Sequence, residues 1–281
     1  MKNKIKIVVI VGPTAVGKSS YAVKYALKHK GEIISADSRQ VYKGLDIGTG
    51  KITEKEMCGI THHLLDVADP KNKFNVERYK TLAQKAIEDI SSRNRLPIIC
   101  GGTGFYIDAV VNNISYPDVP HDVKLQNKLE CKDTQELFII LKNLDKRFAT
   151  SLNNSEKNNK RRLIRSIEIA TALGKIPPVK KTKSPYDVKW IKLELSPEKL
   201  KENIKKRLFE RMKQGMMGEV ENLHKKGLSW KRMGELGLEY RYISRFLQDK
   251  ITKTEMLEKL ETEIWRYAKR QMLWFRKYQS N

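Results

Sequence analysis

The stretch Gly12-Pro13-Thr14-Ala15-Val16-Gly17-Lys18-Ser19 has the glycine and lysine spacing of a phosphate-binding loop. The β-branched run Ile5–Val11 precedes it, and residues 18–29 follow with the pattern of a helix. A strand, a glycine-rich loop and a helix in this order place backbone N–H groups and the positive end of the helix dipole around one anion. Lys18 supplies a charge for the outer phosphate oxygens, and Ser19 is placed to ligate Mg²⁺. The loop therefore predicts a diphosphate or triphosphate site, without specifying a nucleotide.

Residues 1–111 alternate between strand and helix patterns, which predicts an α/β fold with a parallel sheet flanked by helices. The predicted elements are strands at Ile5–Val11, Glu32–Ser35 and Leu96–Cys100, and helices at 18–29 and 75–93. In such sheets ligands bind beyond the carboxyl ends of the strands. The phosphate loop, residues 36–40 and residues 101–104 are therefore expected to meet at one place.

Residues 112–184 are more polar and predict a small, all-helical domain inserted into a sheet domain made of residues 1–111 and 185–281. Asn112-Asn113 and Pro117–Pro120 indicate a linker, and Gly174 with Pro177-Pro178 ends the last helix of the insertion. The helices predicted there are 122–131, 133–143 and 160–173. After the insertion, a strand is predicted at Trp190–Leu195, then a basic helix from Pro197 through Met212, and then further helices.

The formal net charge is +23, with 18 basic against 11 acidic residues in 1–111, 15 against 8 in 112–184, and 23 against 14 in 185–281. Because the excess is spread through the chain, it is not a detachable tail. It favours a polyanionic partner, with RNA or DNA as the first candidate. A generally lysine-rich composition is the alternative that charge alone leaves open.

Several classes of protein are disfavoured by the rest of the composition. No apolar run reaches transmembrane length, and the chain begins directly with a strand pattern, which predicts a cytoplasmic protein without a membrane span. Cys58, Cys100 and Cys131 are widely separated, so neither a zinc ribbon nor a disulfide framework is indicated.

Asp37 is the strongest single candidate for chemistry, because it follows a predicted strand beside the phosphate loop. A carboxylate there can take a proton or orient a nucleophile. Holding Mg²⁺ through water is the alternative role. Ser38, Arg39 and Gln40 extend the polar reach of the same loop, and the amide of Gln40 could read a base edge.

The strand that begins at Leu96 ends in Gly101-Gly102-Thr103, without an acidic residue. P-loop nucleoside triphosphatases usually place an Asp at such a strand end to hold Mg²⁺ and order a water. The sequence therefore argues against ordinary nucleotide hydrolysis. Thr103 is expected either to donate a hydrogen bond to a substrate or to cap the turn.

Two basic clusters are candidates for phosphate contacts. Arg161-Arg162-Leu163-Ile164-Arg165 places charges on a helix, either as phosphate clamps or as a solvated face. Lys205-Lys206-Arg207 could reach the diphosphate. His62-His63 is not expected to hold a metal, because the side chains of adjacent residues diverge.

Taken together, the motifs resemble the tRNA dimethylallyltransferase (tRNA isopentenyltransferase) family of bacterial type. They occur in the family's order and cover nearly the whole chain. Besides the phosphate loop, the matching segments are Ser35-Ala36-Asp37-Ser38-Arg39-Gln40-Val41-Tyr42, Asp46-Ile47-Gly48-Thr49, His62-His63-Leu64-Leu65-Asp66, Gly101-Gly102-Thr103-Gly104-x-Tyr106, Arg161-Arg162-Leu163-x-Arg165-x-Ile167-Glu168 and Lys269-Arg270-Gln271-x-x-Trp274-Phe275-Arg276.

The resemblance implies transfer of a dimethylallyl group from dimethylallyl diphosphate to N6 of the adenosine 3′-adjacent to the anticodon in tRNA, with Mg²⁺ as cofactor. It implies that Asp37 is the general base, that Thr14 and Lys18 bind the diphosphate, and that Arg207 lies near it. Thr103 would contact tRNA, and the insertion would grip the anticodon stem-loop of a monomeric enzyme. The tRNA contacts predicted in this way are Asp37, Ser38, Arg39, Gln40, Thr103, Arg161, Arg162, Leu163, Ile164 and Arg165.

The chain departs from the family pattern at two places. Gly237-Leu238-Glu239-Tyr240-Arg241 carries Glu239 where glycine is usual, and Glu221 stands where many members have Arg.

Two other functions remain open from the residues alone. One is a P-loop small-molecule kinase with the insertion as its lid, and the other is a non-catalytic RNA-binding protein that retains a phosphate loop.

Overall fold

A computed structural model describes residues 4–117, 119–178 and 183–278. Its described residues belong to two compact units, one made of Met1–Asn113 with Thr182–Asn281 and the other of Ile114–Lys181. The linker predicted at Pro117–Pro120 includes position 118, which lies outside the described residues.

The first unit is built on a sheet whose five described strands all run parallel, in the spatial order β3-β2-β4-β1-β5. This arrangement confirms the predicted fold class. The central strands are almost wholly buried, since helices cover both faces of a parallel sheet. The strands are β1 (Ile5–Val11), β2 (Gly31–Ser35), β3 (His62–His63), β4 (Leu96–Gly101) and β5 (Tyr186–Lys192).

The prediction of the last strand at Trp190–Leu195 was wrong in its limits. The strand β5 pairs with β1 along its whole length, from Ile5 opposite Tyr186 to Val11 opposite Lys192. The register with β1 therefore sets where β5 begins and ends. Residues of β5 are mostly half-buried or exposed at this edge, so its hydrophobic pattern is weak. The two-residue strand β3 was not predicted, because it is too short to carry a pattern.

Helices cover the two faces of the sheet with different apolar clusters. On one face, Val8 and Ile10 of β1 pack with Ala22 and Val23 of the first helix. On the other face, Val9 packs among residues of the third and fourth helices and the end of the last helix. The helices of this unit up to the insertion are α1 (Lys18–His29), α2 (Glu54–Met57), α3 (Val76–Ser92) and α4 (Gly104–Val111).

The last part of the first unit is a helical layer with its own core. Pro197 occupies the first turn of its opening helix after the Ser196 cap, as the predicted helix start required. Buried Leu and Met side chains from these helices pack against Val41, Tyr42 and Leu45, which follow β2. The helices are α10 (Pro197–Lys213), α11 (Met216–Lys225), α12 (Trp230–Leu236), α13 (Leu238–Phe246) and α14 (Lys253–Phe275).

The second unit is helical in its described residues. Leu137, Leu141, Leu163 and Ile167 form the centre of its core. Two short helices here were not predicted, because four to six residues cannot display a helical period. The helices are α5 (Val123–Glu130), α6 (Thr134–Leu144), α7 (Lys146–Ser151), α8 (Asn154–Lys157) and α9 (Lys160–Leu173).

Candidate active site

A cavity of about 560 Å³ opens at the carboxyl ends of β1, β2 and β4 in the first unit. The three loops that the sequence predicted to meet there all contribute to it. Helices α10 and α14 and residues 46–56 supply the rest of its polar wall. Its charged and amide-bearing lining residues are Lys18, Asp37, Gln40, Asp46, Lys51, Glu56, Asn203, Lys206, Arg207, Glu210, Arg211, Gln214 and Gln271.

The loop from Gly12 to Ser19 connects β1 to α1 and curls around the Lys18 ammonium. Lys18 Nζ donates to the carbonyl oxygens of Gly12 and Pro13 at 2.9 and 2.7 Å. Gly12 has a φ of 153°, and a Cβ atom on it would lie 2.5 Å from the Leu193 carbonyl oxygen, so this close approach requires glycine. Burial lowers the pKa of Lys18 to about 8. The loop thus holds a partly desolvated cation at the cavity wall.

Asp37 lies in the turn after β2 and lines the cavity. Its Oδ1 accepts hydrogen bonds from the backbone N–H groups of Arg39, at 2.8 Å, and Gln40, at 3.4 Å. These bonds fix the carboxyl group by a local turn of the type that Asp favours. Because both use Oδ1, the carboxylate can still accept a proton at Oδ2.

Thr103 joins the turn after β4 to the turn that carries Asp37. Its Oγ1 accepts from the Ser38 backbone N–H at 3.0 Å, and its own N–H donates to the Ala36 carbonyl at 3.0 Å. Thr103 stands at the cap position of α4, but its side chain makes no capping bond there. Its hydroxyl instead bonds to the turn after β2, and a hydrogen bond from Thr103 to a substrate stays a prediction. Thr103, Ser38 and Arg39 lie outside the lining of the cavity.

The Gln40 amide is engaged within the protein. Its Nε2 donates to the Gly50 carbonyl oxygen at 3.2 Å, and its Oε1 accepts from Ser35 Oγ at 3.4 Å. This side chain connects the end of β2 with the loop around Gly50. The expectation that it reads a base edge would require these bonds to exchange.

Of the basic cluster on α10, two members line the cavity. Arg207 Nη1 lies 3.5 Å from Thr14 Oγ1 of the loop, and Lys206 also lines the cavity. Burial lowers the pKa of Arg207 to about 10, and the nearby charge of Arg211 acts in the same direction. Lys205 is exposed and lies outside the cavity lining, because consecutive helical residues point about 100° apart.

Arg211 and Gln271 are among the polar residues of the cavity wall that the sequence analysis did not name as site residues. Arg211 lies one helical turn after Arg207, so the i, i+4 spacing was a signal that could have found it. Gln271 Oε1 accepts from the Thr14 N–H at 2.8 Å, and its Nε2 donates to the Gly102 carbonyl at 2.9 Å. No local pattern could have placed Gln271 here, since it is 257 residues from Thr14 in the chain.

The arginine cluster on α9 belongs to the second unit, and its members differ in exposure. Arg161 and Arg162 are exposed, and Arg162 pairs with Glu156 at 2.8 Å. Arg165 donates to the Val119 carbonyl at 2.6 Å. Leu163 and Ile164 are 0 and 4% exposed and pack in the core of this unit, so their side chains are structural.

The histidines and cysteines carry no sign of a metal centre. His63 pairs with Glu32 at 2.7 Å, while His62 Nδ1 lies 2.8 Å from the Ile60 carbonyl oxygen. Among the described residues no group of three His, Cys, Asp or Glu side chains could hold a metal ion. Ser19 and Asp37 line the cavity, and they suit a Mg²⁺ ion that takes most of its ligands from a bound diphosphate and water.

The chain is similar over nearly its whole length to known proteins. A sequence model of the IPP transferase family matches residues 40–278. The chain itself is 42% identical to tRNA dimethylallyltransferase 2 of Treponema denticola, over 100% of this chain and 95% of that protein. It is 40% identical to tRNA dimethylallyltransferase of Anoxybacillus flavithermus, over 96% of this chain and 87% of that protein. The chain belongs to the IPP transferase family.

Solved structures agree with this family assignment. The tRNA isopentenylpyrophosphate transferase from Bacillus halodurans superimposes with a TM-score of 0.73 at 36% identity, covering 98% of this chain and 88% of that one. A eukaryotic dimethylallyltransferase acting on tRNA superimposes with a TM-score of 0.79 at 30% identity, covering 96% of this chain and 69% of that one. The predicted family resemblance is therefore confirmed. As an IPP transferase this protein is a transferase, and no helix among its described residues has the length and hydropathy to cross a bilayer.

Proposed function

We propose that this protein transfers a dimethylallyl group from dimethylallyl diphosphate to N6 of the adenosine 3′-adjacent to the anticodon in tRNA and releases diphosphate. One observation carries the proposal. A proton-accepting carboxylate, Asp37, and two half-buried cations, Lys18 and Arg207, line the same cavity. Relatives at 40% identity or more, named tRNA dimethylallyltransferase, support the choice of substrates.

The donor's diphosphate binds in the loop of residues 12–19. Lys18 bonds to the Pro13 carbonyl and Arg207 lies 3.5 Å from Thr14 Oγ1, so both charges lie beside this loop and can stabilise the diphosphate as its bond to carbon breaks. Since both groups are already partly desolvated, they interact with an anion more strongly than surface cations do. Ser19 would help to hold a Mg²⁺ ion, which would supply further charge neutralisation for the diphosphate.

The acceptor amine is a weak nucleophile that must lose a proton. N6 of adenine forms a bond to the allylic carbon while the bond from that carbon to the diphosphate oxygen breaks. Asp37 Oδ2 takes the proton from N6, and the two backbone bonds to Oδ1 hold the carboxyl group in place. Thr103, through its bond to the Ser38 N–H, positions the turn that bears Asp37.

RNA binding follows from charge and from the exposed arginines of the second unit. The net charge of +23 attracts a polyanion, and Arg161 and Arg162 are free of the core and suited to phosphate contacts. We propose that this second unit binds the anticodon stem-loop of the tRNA. The target base is flipped out of a single-stranded loop, where unstacking costs about a few kcal/mol. We further propose that the protein works as a monomer in the cytoplasm.

Mass spectrometry of tRNA nucleosides tests the proposal. Unmodified tRNA with adenosine after its anticodon is incubated with the protein, Mg²⁺ and dimethylallyl diphosphate, and a mass increase of one dimethylallyl group on that adenosine is expected. A tRNA with guanosine at that position is the matched control. Phosphoryl transfer from ATP without use of the allylic donor would favour a kinase instead, and tight tRNA binding without product would favour a binding protein.

A further inference from the structure

Arg211 is a buried cation on the cavity wall, and one nitrogen of its guanidinium group makes no hydrogen bond among the described residues. The residue is 9% exposed. Nη1 donates to the Gly48 carbonyl at 3.2 Å and lies 3.4 Å from Glu239 Oε1. Nη2 is buried and has no hydrogen-bond partner among residues 4–117, 119–178 and 183–278. A buried donor left without a partner is costly, so it points to a ligand that completes it.

The position of Gly50 shows where that donor lies. A Cβ atom on Gly50 would lie 1.6 Å from Arg211 Nη2 and 2.2 Å from Arg207 Nη2. The Nη2 atoms of Arg207 and Arg211 therefore both lie next to the backbone of Gly50. Gly50 has a φ of 59°, and both the conformation and the approach of the two arginines require glycine here. All three residues line the cavity that contains Lys18 and Ser19.

The charges at this place are unbalanced. Burial lowers the pKa of both arginines, and for Arg207 the charge of Arg211 is the next largest cause. Glu239 is the carboxylate paired with Arg211, and its side chain is 17% exposed. Burial raises the pKa of Glu239, and Arg211 acts against that rise. Asp37 also acts on both arginines, Glu56 on Arg207 and Glu219 on Arg211, but none of these three forms an ion pair with them among the described residues. The single ion pair with Glu239 leaves two adjacent guanidinium groups only partly compensated, and a bound polyanion would supply the rest.

We propose that Arg211 is a second guanidinium that binds the donor's diphosphate through Nη2, and that Glu239 is a positioning residue that holds Arg211 by Nη1. The inference rests on the proposed function and deepens it. It also explains the departure at position 239 in physical terms, because this chain places a carboxylate where it can orient a second cation. Paired guanidinium groups suit a diphosphate, which presents oxygens on two phosphorus atoms.

Binding of inorganic diphosphate in excess Mg²⁺, measured by calorimetry on the full chain, tests the inference without relying on activity. We expect Arg211→Met to weaken diphosphate binding about tenfold or more and to raise the KM for dimethylallyl diphosphate by a similar factor, with kcat changed less. Glu239→Gln should weaken binding several-fold, since Arg211 keeps its bond to Gly48. In the double variant, the Glu239→Gln change should add nothing to the effect of Arg211→Met.

Arg232→Met is the matched control. Arg232 also sits in a helix of the first unit and pairs with a glutamate, Glu235, at 2.9 Å, but it lies outside the cavity lining. Its replacement should leave the diphosphate affinity unchanged. If Arg211→Met fails to fold, Arg211→Lys is the second variant. It keeps the positive charge but lacks the paired N–H donors of a guanidinium group, and we expect its affinity for diphosphate to fall several-fold.

The outcomes separate this inference from the function on which it rests. An active wild-type protein whose folded Arg211→Met or Arg211→Lys variant binds diphosphate as tightly as the wild type overturns the inference alone. So does a Glu239→Gln effect that persists undiminished without Arg211. A wild-type protein that neither binds diphosphate nor modifies tRNA overturns the proposed function, and the inference with it.

Discussion

Gln271 of α14 accepts a hydrogen bond from the backbone N–H of Thr14 at 2.8 Å, which connects α14 to the loop after β1. The same side-chain amide donates to the Gly102 carbonyl at 2.9 Å, and the residue is 5% exposed. One buried amide thus spans the loop after β1 and the loop after β4. The amide therefore bridges two loops of the cavity wall.

Gln271→Leu is expected to lower the free energy of unfolding by about 1–3 kcal/mol, because it leaves the part-buried N–H of Thr14 and the buried C=O of Gly102 unpaired. It should also raise the KM for dimethylallyl diphosphate, since the Thr14 segment loses its anchor. Denaturant unfolding and steady-state kinetics measure the two effects. Gln248→Leu is the control, because the Gln248 amide bonds to Ser244 away from the cavity. Equal effects of both substitutions on KM would contradict the anchoring role.

Asp37→Asn should slow transfer about 10²- to 10⁴-fold, the usual contribution of a general base. Asparagine keeps an oxygen for the N–H groups of Arg39 and Gln40, so the turn should persist. Single-turnover transfer rates and filter binding of tRNA measure catalysis and binding separately. Affinity for tRNA should be largely spared. Normal turnover in Asp37→Asn or Asp37→Ala would remove Asp37 from its role.

The pH dependence of donor use should report Lys18. Burial lowers its pKa to about 8, so the ammonium that binds the diphosphate is present below pH 8 and is lost as the pH rises through that value. The kcat/KM for dimethylallyl diphosphate, which reports groups of the free enzyme, should therefore fall between pH 7 and 9. The Lys18→Arg variant keeps its positive charge in this pH range. Its kcat/KM should therefore be lower than that of the wild type but should not fall between pH 7 and 9. The same decline in both proteins would assign it to another group.

Glu219→Ala should lower the free energy of unfolding by about 3 kcal/mol. The Glu219 carboxylate accepts from the backbone N–H groups of Asp46, Ile47 and Gly48, at 3.0, 2.7 and 3.0 Å, and from the Tyr240 hydroxyl at 2.7 Å. Hydrogen bonds to a charged group contribute about 1.5–3 kcal/mol each and are not additive. Denaturant unfolding measures the loss. Glu221→Ala, an exposed site two residues away, should stay within about 0.5 kcal/mol of the wild type.

Binding of tRNA should weaken steeply with salt, because phosphate contacts release counterions. Arg161→Ala should weaken binding for all tRNA sequences alike and reduce the slope of log K against log salt by about 1. Circular dichroism should show the fold unchanged, since Arg161 is exposed. Arg165→Ala should instead destabilise the second unit through its lost bond to Val119. A flat salt response of the wild type, or an unaltered slope in Arg161→Ala, would contradict phosphate binding here.

The sequence by itself determined the fold class and the location of the cavity. Strand and helix periods in residues 1–111 are local signals, and parallel strands necessarily bring their carboxyl ends to one edge. The loop of residues 12–19, Asp37 and Gly101 could therefore be placed together before any coordinates. The order of the motifs also sufficed to identify the family. The roles of individual residues in binding and catalysis stay predictions.

Only the tertiary structure decided which side chains complete the cavity and which are occupied elsewhere. Gln271 reaches Thr14, Arg211 pairs with Glu239, and the Gln40 amide bonds to Gly50, all between residues that no periodic pattern links. The limits of β5 were likewise set by its pairing with β1. The physical reason is common to these cases. Local propensity depends on neighbours along the chain, whereas a side-chain hydrogen bond depends on which distant segments packing brings within about 3 Å of each other.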